Sequence, residues 1–216
     1  MDTLDFFREL YGQCKDGWLT IWTRQDKRTQ WFPVSKLEQA AEVAKRLATG
    51  GKDVYFGVGL RRKPVYKETE DGRRYLARGE NEDVIAIPGL WIDIDIMSEA
   101  HKRKKLPPSL EDAMSLLNFL PREPSILVDS GHGLHAYWLF EQPVYFDDAG
   151  RQHIERVISH WQRMIRDEAI RRGWEIDNTA DLARVLRVPG TTNYKIKDKP
   201  MPVQVIKVTE YAAEAV

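Results

Sequence analysis

The sequence predicts an α+β fold, and three observations carry that prediction. Residues 35–48 and 147–172 hold apolar side chains at helical spacing. Leu37, Ala40, Ala41, Val43, Ala44 and Leu47 form the first stripe; Ile154, Val157, Ile158, Trp161, Ile165 and Ala169 form the second. Residues 125–129 and 134–140 read as two strands, and the joint between them, Ser130-Gly131-His132-Gly133, is too short for anything but a tight turn. Residues 88–96 alternate as a strand does, with Ile92, Ile94 and Ile96 on one face and Trp91, Asp93 and Asp95 on the other.

Composition bounds the rest. With 216 residues, 42% of them hydrophobic and 10% aromatic, the chain suits one large domain or two closely packed subdomains. No apolar run reaches the roughly 18–20 residues that span a bilayer, and the start, Met1-Asp2-Thr3-Leu4-Asp5, is acidic where a secretory signal is basic. A cytoplasmic setting without a membrane partner is expected. Cys14 is the only cysteine, which excludes an internal disulfide and a cysteine-based zinc site. The 33 basic and 33 acidic residues cancel, so nucleic acid would have to be held by local clusters rather than bulk charge.

Taken in order, Leu4, Phe6, Phe7, Leu10 and Tyr11 are spaced for a short amphipathic helix, and residues 18–22 have the aromatic and β-branched character of a strand. Ser35-Lys36-Leu37-Glu38 reads as a capping box opening the helix to about residue 48, which Gly50-Gly51 closes. Residues 53–58 form a strand. Residues 60–83 mix Arg61, Arg62, Lys63 and further basic residues with acids and two tyrosines, as a solvated hairpin or a nucleic-acid contact would. After the acidic strand comes a second basic run, Lys102, Arg103, Lys104 and Lys105, also placed for a phosphate backbone. Ser109 caps a helix to about residue 120, and Asp147 opens the long helix, with Arg151, Arg156, Arg163 and Arg166 mostly outside. A last strand falls near residues 203–208.

Three constellations stand out from this background. Asp93 and Asp95 lie roughly 6.5–7 Å apart along one strand face, close enough for their carboxylates to lean toward a shared hard cation. An ordinary half-solvated strand has the same pattern, so the pair alone does not decide. Ser130-Gly131-His132-Gly133-Leu134-His135 joins backbone freedom to hydroxyl and imidazole donors, a combination suited to phosphate. His132 and His135 fall across a turn rather than along one helix face, which disfavours them as a metal pair. In residues 176–195, a single helical turn would aim Arg184 and Arg187 the same way, and Pro189-Gly190 would turn the chain to bring back Asn193 and Lys195, a fork suited to a triphosphate.

The order of these motifs, hydrophobe-Asp-hydrophobe-Asp, then Ser-Gly-x-Gly-x-His, then hydrophobe-Asp followed by Arg-x-x-Arg-x-Pro-Gly-Thr-x-Asn-x-Lys, resembles the archaeo-eukaryotic primase (AEP) superfamily. Within it, the match is to the primase-polymerases (PrimPols) of phages, plasmids and other mobile elements. The resemblance implies an RRM-like antiparallel catalytic sheet, residues 84–210, packed against an N-terminal α/β unit, residues 1–60, in one domain. It implies that Asp93, Asp95 and Asp177 are catalytic and hold two Mg²⁺ or Mn²⁺ ions, with Asp181 competing for the third place. Ser130 and His135 would grip the phosphates of an incoming dNTP or NTP; Arg184, Arg187, Asn193 and Lys195 would contact triphosphate or template, and the role of His132 stays open. The implied activity is template-dependent nucleotidyl transfer on single-stranded or primed DNA, with a helicase or accessory domain outside this segment as partner. A non-catalytic RRM-like module that binds single strands, and a metal-dependent nuclease, are the rival classes.

Overall fold

The computed structural model describes residues 1–100 and 105–209, so the expected DNA contacts at Lys102, Arg103 and Lys104 lie outside the described residues. In chain order the elements are α1 (Thr3–Tyr11), β1 (Trp18–Thr23), β2 (Thr29–Pro33), α2 (Leu37–Thr49), β3 (Val54–Gly57), β4 (Leu60–Arg61), β5 (Tyr66–Glu68) and β6 (Arg74–Leu76). There follow β7 (Val84–Asp95), α3 (Leu110–Ser115), β8 (Ile126–Asp129), β9 (Gly133–Tyr145), α4 (Asp148–Arg171), β10 (Val185–Arg187), β11 (Thr192–Asn193), β12 (Met201–Pro202) and β13 (Gln204–Val208).

Nine strands form one sheet in the order β10-β3-β1-β4-β7-β9-β8-β13, with β2 also paired to β1, and every pairing is antiparallel. The α+β class is as the sequence predicts. The N-terminal unit is joined edge to edge with the later strands through β4 and β7, and β10 returns from the far end of the chain to pair with β3.

Local chemistry explains most boundaries. Asp2 accepts from the Asp5 amide at 2.9 Å to open α1, Ser109 accepts from Asp112 at 3.1 Å to open α3, and Asp147 accepts from Gly150 at 2.8 Å to open α4. The Ser35 capping box does not form: the chain enters α2 through a 3₁₀ turn at Val34–Lys36, the first residue of α2 follows Lys36, and Glu38 pairs with Arg8 of α1 at 2.8 Å instead. α3 also ends sooner than expected, at Ser115, with turns carrying the chain on. On β7, Gly89 lies so close to β9 that a β-carbon there would sit 2.2 Å from the Trp138 carbonyl oxygen, so only glycine fits beside the irregularity in register at Pro88.

The core binds the two halves of the sheet together. Phe6 of α1 meets Phe56 of β3 and Tyr137 of β9 edge-on, at ring separations of 5.4 and 5.6 Å. Each such pair adds about 0.5–1.5 kcal/mol beyond area burial. α4 packs on β7 through Ile158, Ile165 and Ala169, whereas Val157 is exposed, at the margin of the expected stripe. Arg151, expected outside, is buried, because its guanidinium donates to the carbonyls of Asn81, Glu82 and Val84 and ties α4 to the start of β7. Gln162, also buried on α4, donates to the Trp91 carbonyl at 2.8 Å and accepts from the Thr179 amide at 2.9 Å. No described helix is long and apolar enough to cross a membrane.

Candidate active site

The end of β7 and the hairpin of β8 and β9 place the acidic pair. β7 and β9 pair Asp93 with His135 and Asp95 with Gly133, so the two carboxylates project beside the Ser130–Gly133 turn. In that turn Gly131 has φ +87°, which admits no side chain without strain, and a β-carbon there would also lie 2.7 Å from Met201. The Asp129 carboxylate accepts the Gly131 amide at 2.7 Å, and the Asn193 side chain donates to the Ser130 carbonyl at 2.6 Å. That last bond fastens the turn to the returning segment after Pro189-Gly190, where Asn193 accepts the Lys195 amide at 2.9 Å.

These elements enclose a cavity of about 110 Å³ lined by Asp93, Asp95, Ser130, His132, His135, Arg187, Asn193 and Lys195, together with Arg24, Tyr55 and the Val185–Leu186 segment. Two carboxylates on β7 thus share one cavity with three basic side chains, Arg24, Arg187 and Lys195, a combination that suits a cation accompanied by an anionic phosphate chain. His135 is buried, and burial, reinforced by the Arg187 charge and opposed by Asp95 and Asp129, pulls its imidazole down to about 3. Its 3.6 Å approach to Asp93 is therefore a contact between a neutral ring and a carboxylate rather than an ion pair. Lys195 is lowered from its ordinary range by burial, with Asp95 acting in the opposite sense. Arg187 is 6% exposed, pairs with Asp53 and lies over the Tyr55 ring at 4.7 Å.

Other expected residues are not brought there. Asp177 is exposed on the connection between α4 and β10 and does not line the cavity. That connection is anchored through the Glu175 amide, which donates to the Lys105 carbonyl at 2.6 Å, and through Thr179, whose carbonyl accepts from Trp91 Nε1 at 2.9 Å. Among the described residues no group of three or more His, Cys, Asp or Glu side chains is gathered for a metal ion, and of the three expected acids Asp93 and Asp95 line the cavity. Asp181 is engaged by Arg184 at 2.5 Å. Arg184 and Arg187 do not share a helical turn, because β10 is extended: Arg187 enters the cavity, and Arg184 turns back to Asp181 and the Asn178 carbonyl.

Arg61 is a further correction. It is fully buried and donates to the carbonyls of Gly59 and Ala183, so it presents nothing to DNA. Arg62, Lys63 and Lys105 are exposed, with Arg62 3.7 Å from Asp148 and Lys105 3.4 Å from Glu175. Arg24 and Tyr55 belong to the cavity but to no sequence motif; the pairing of Tyr55 with Arg187 across β3 and β10 places the one, and the bond from the Arg24 amide to the Asp53 carbonyl holds the other beside β3.

No protein-family model and no curated protein sequence matches the chain. Solved structures do. The AEP domain of the cyanophage S-2L primase-polymerase superposes with a TM-score of 0.61 at 15% identity, over 96% of this chain and 89% of that one. Primase RepB′ gives a TM-score of 0.50 at 15% identity over 95% of this chain and 56% of its own length. The RepB′ catalytic domain in complex with initiator DNA gives 0.50 at 15% identity over 96% and 86%. At this level of identity the likeness speaks for architecture, and over nearly its whole length the chain has the fold of the AEP primase catalytic domains.

Proposed function

We propose that the chain is a template-dependent nucleotidyltransferase, a DNA primase-polymerase domain acting on single-stranded or primed DNA with dNTPs or NTPs. The observation that carries this is the gathering, in one cavity of an AEP fold, of the Asp93–Asp95 pair with Arg24, Arg187 and Lys195. A simple single-strand binder has no need of the paired acids beside those bases.

Asp93 and Asp95 fit Mg²⁺ or Mn²⁺: both are half-exposed oxygen donors on one strand face, and Mg²⁺ commonly takes one or two carboxylates with water and substrate phosphates filling the remaining positions. When bound, such ions lower the pKa of an attacking 3′-hydroxyl and stabilise a leaving pyrophosphate. The chain's own residues do the rest. Arg187 and Lys195 offset phosphate charge, and the Ser130 turn, held open by Gly131 and fastened by Asn193, brings hydroxyl and backbone groups to the nucleotide. His135 flanks Asp93 at 3.6 Å. Arg62, Lys63 and Lys105 would contact the DNA backbone.

The test is a gel with labelled single-stranded template, with and without primer, dNTPs or NTPs, and Mg²⁺ or Mn²⁺. Growth of the labelled strand is expected. Shortening of labelled DNA would assign a nuclease, and binding without either change would assign a non-catalytic module.

A further inference from the structure

Asp53 stands immediately before β3, is 3% exposed and does not line the cavity. Yet its hydrogen bonds reach three of the segments that do. Its carboxylate pairs with Arg187 of β10 and accepts the Tyr194 amide at 2.9 Å. The second carboxylate oxygen accepts Gln25 Nε2 at 3.0 Å, the Asp53 amide donates to Gln25 Oε1 at 3.0 Å, and its carbonyl accepts the Arg24 amide at 3.2 Å. Each of those segments delivers cavity residues: Arg187 from the first, Asn193 and Lys195 from the second, Arg24 from the third.

From this geometry we propose that Asp53 is a positioning residue for the phosphate-receiving wall, a role that rests on the nucleotidyltransferase reading. One edge of the Arg187 guanidinium is taken by Asp53 and its plane lies on Tyr55 at 4.7 Å, so a long side chain is fixed before any nucleotide arrives. An arginine free to sample its rotamers would lose that freedom on binding; one already fixed does not. The same carboxylate holds the Tyr194 amide, and with it the turn that presents Lys195. The Asp53 charge acts on nucleotide through Arg187 rather than by contact.

The experiment compares Asp53→Asn and Asp53→Glu with wild type, alone and in an Arg187→Ala background, by primer extension and by binding of a labelled triphosphate, with thermal unfolding recorded for each. Asp53→Asn keeps the shape and an acceptor for Tyr194 but loses the ion pair. It is expected to raise nucleotide KM and Kd about tenfold, with kcat changed less than about threefold, and to add less than about twofold once Arg187 is absent. Asp53→Glu, which restores charge, should recover part of the loss. Unchanged KM, or an equal penalty in the Arg187→Ala background, overturns the proposal. Should Asp53→Asn fail to fold, Gln25→Ala loosens the same carboxylate from the surface: a smaller rise in KM supports the role, and none overturns it. A wild type that binds triphosphate with this Asp53 dependence but extends no primer upholds the positioning role and sinks the polymerase reading. A wild type that neither binds nor extends sinks both.

Discussion

Replacing Arg61 by alanine separates the structural account from the expectation of a DNA contact. The side chain is fully buried, and its guanidinium donates to the carbonyls of Gly59 and Ala183. Losing two charge-assisted bonds to buried acceptors costs about 3–6 kcal/mol, and losing the buried methylenes about 2 kcal/mol more. One effect opposes this. Burial pulls Arg61 down to about 10, so folding works against its charge by about 3 kcal/mol, a penalty the variant escapes. The loss prevails, at a net of about 3 kcal/mol, which in a domain of this size lowers Tm by about 6–12 °C. Calorimetry reads the stability, and binding to single-stranded DNA between low and moderate salt reads the phosphate contacts. Arg61→Ala should lower Tm and leave the slope of log K against log salt unchanged. A Tm within about 2 °C of wild type, with the slope reduced by about 0.7, would mean that Arg61 meets a phosphate and that its burial is wrongly placed.

Further predictions concern the site and its approaches. Arg187→Ala leaves Asp53 buried without its ionic partner, though still bonded to Gln25 and Tyr194, and should cost about 3 kcal/mol of stability as well as raising nucleotide KM; an unchanged Tm counts against the pair. Arg62→Ala with Lys63→Ala, both exposed, should leave Tm within about 1–2 °C and reduce the salt slope for DNA; an unaltered slope returns them to simple solvation. Asp177→Asn should slow nucleotide incorporation less than about tenfold, whereas Asp95→Asn should slow it by about a hundredfold or more. Equal losses would restore Asp177 to the metal seat that the motif order implies.

What was legible in the sequence had local causes. Period-two alternation put Asp93 and Asp95 on one face, two glycines around His132 defined the hairpin turn, Asp147 announced α4, and Pro189-Gly190 turned Asn193 and Lys195 toward the turn. What was not legible depends on partners distant in the chain. Glu38 leaves its capping box for Arg8, thirty residues away, and Arg61 is drawn inside by a carbonyl 122 residues away. Spacing alone does not tell the extended β10 from a helical turn, so the sequence groups Arg184 with Arg187 although their surroundings divide them. Arg24 and Tyr55 of the cavity lining, and Asp53 behind it, carry no motif, because their places arise from the pairing of β3 with β1 and with β10 from the other end of the chain. The same pairing makes the N-terminal strands part of one continuous sheet with the later ones.

The most direct measurement is incorporation of a labelled nucleotide onto a primed single-stranded template, with Mg²⁺ or Mn²⁺, by wild type beside Asp93→Asn, at matched Tm. Wild type should extend the primer, and the variant, which keeps the strand and the shape of the carboxylate but not its charge, should fall by about a hundredfold or more. Extension by Asp93→Asn at the wild-type rate would contradict the assignment of the acidic strand as the catalytic centre.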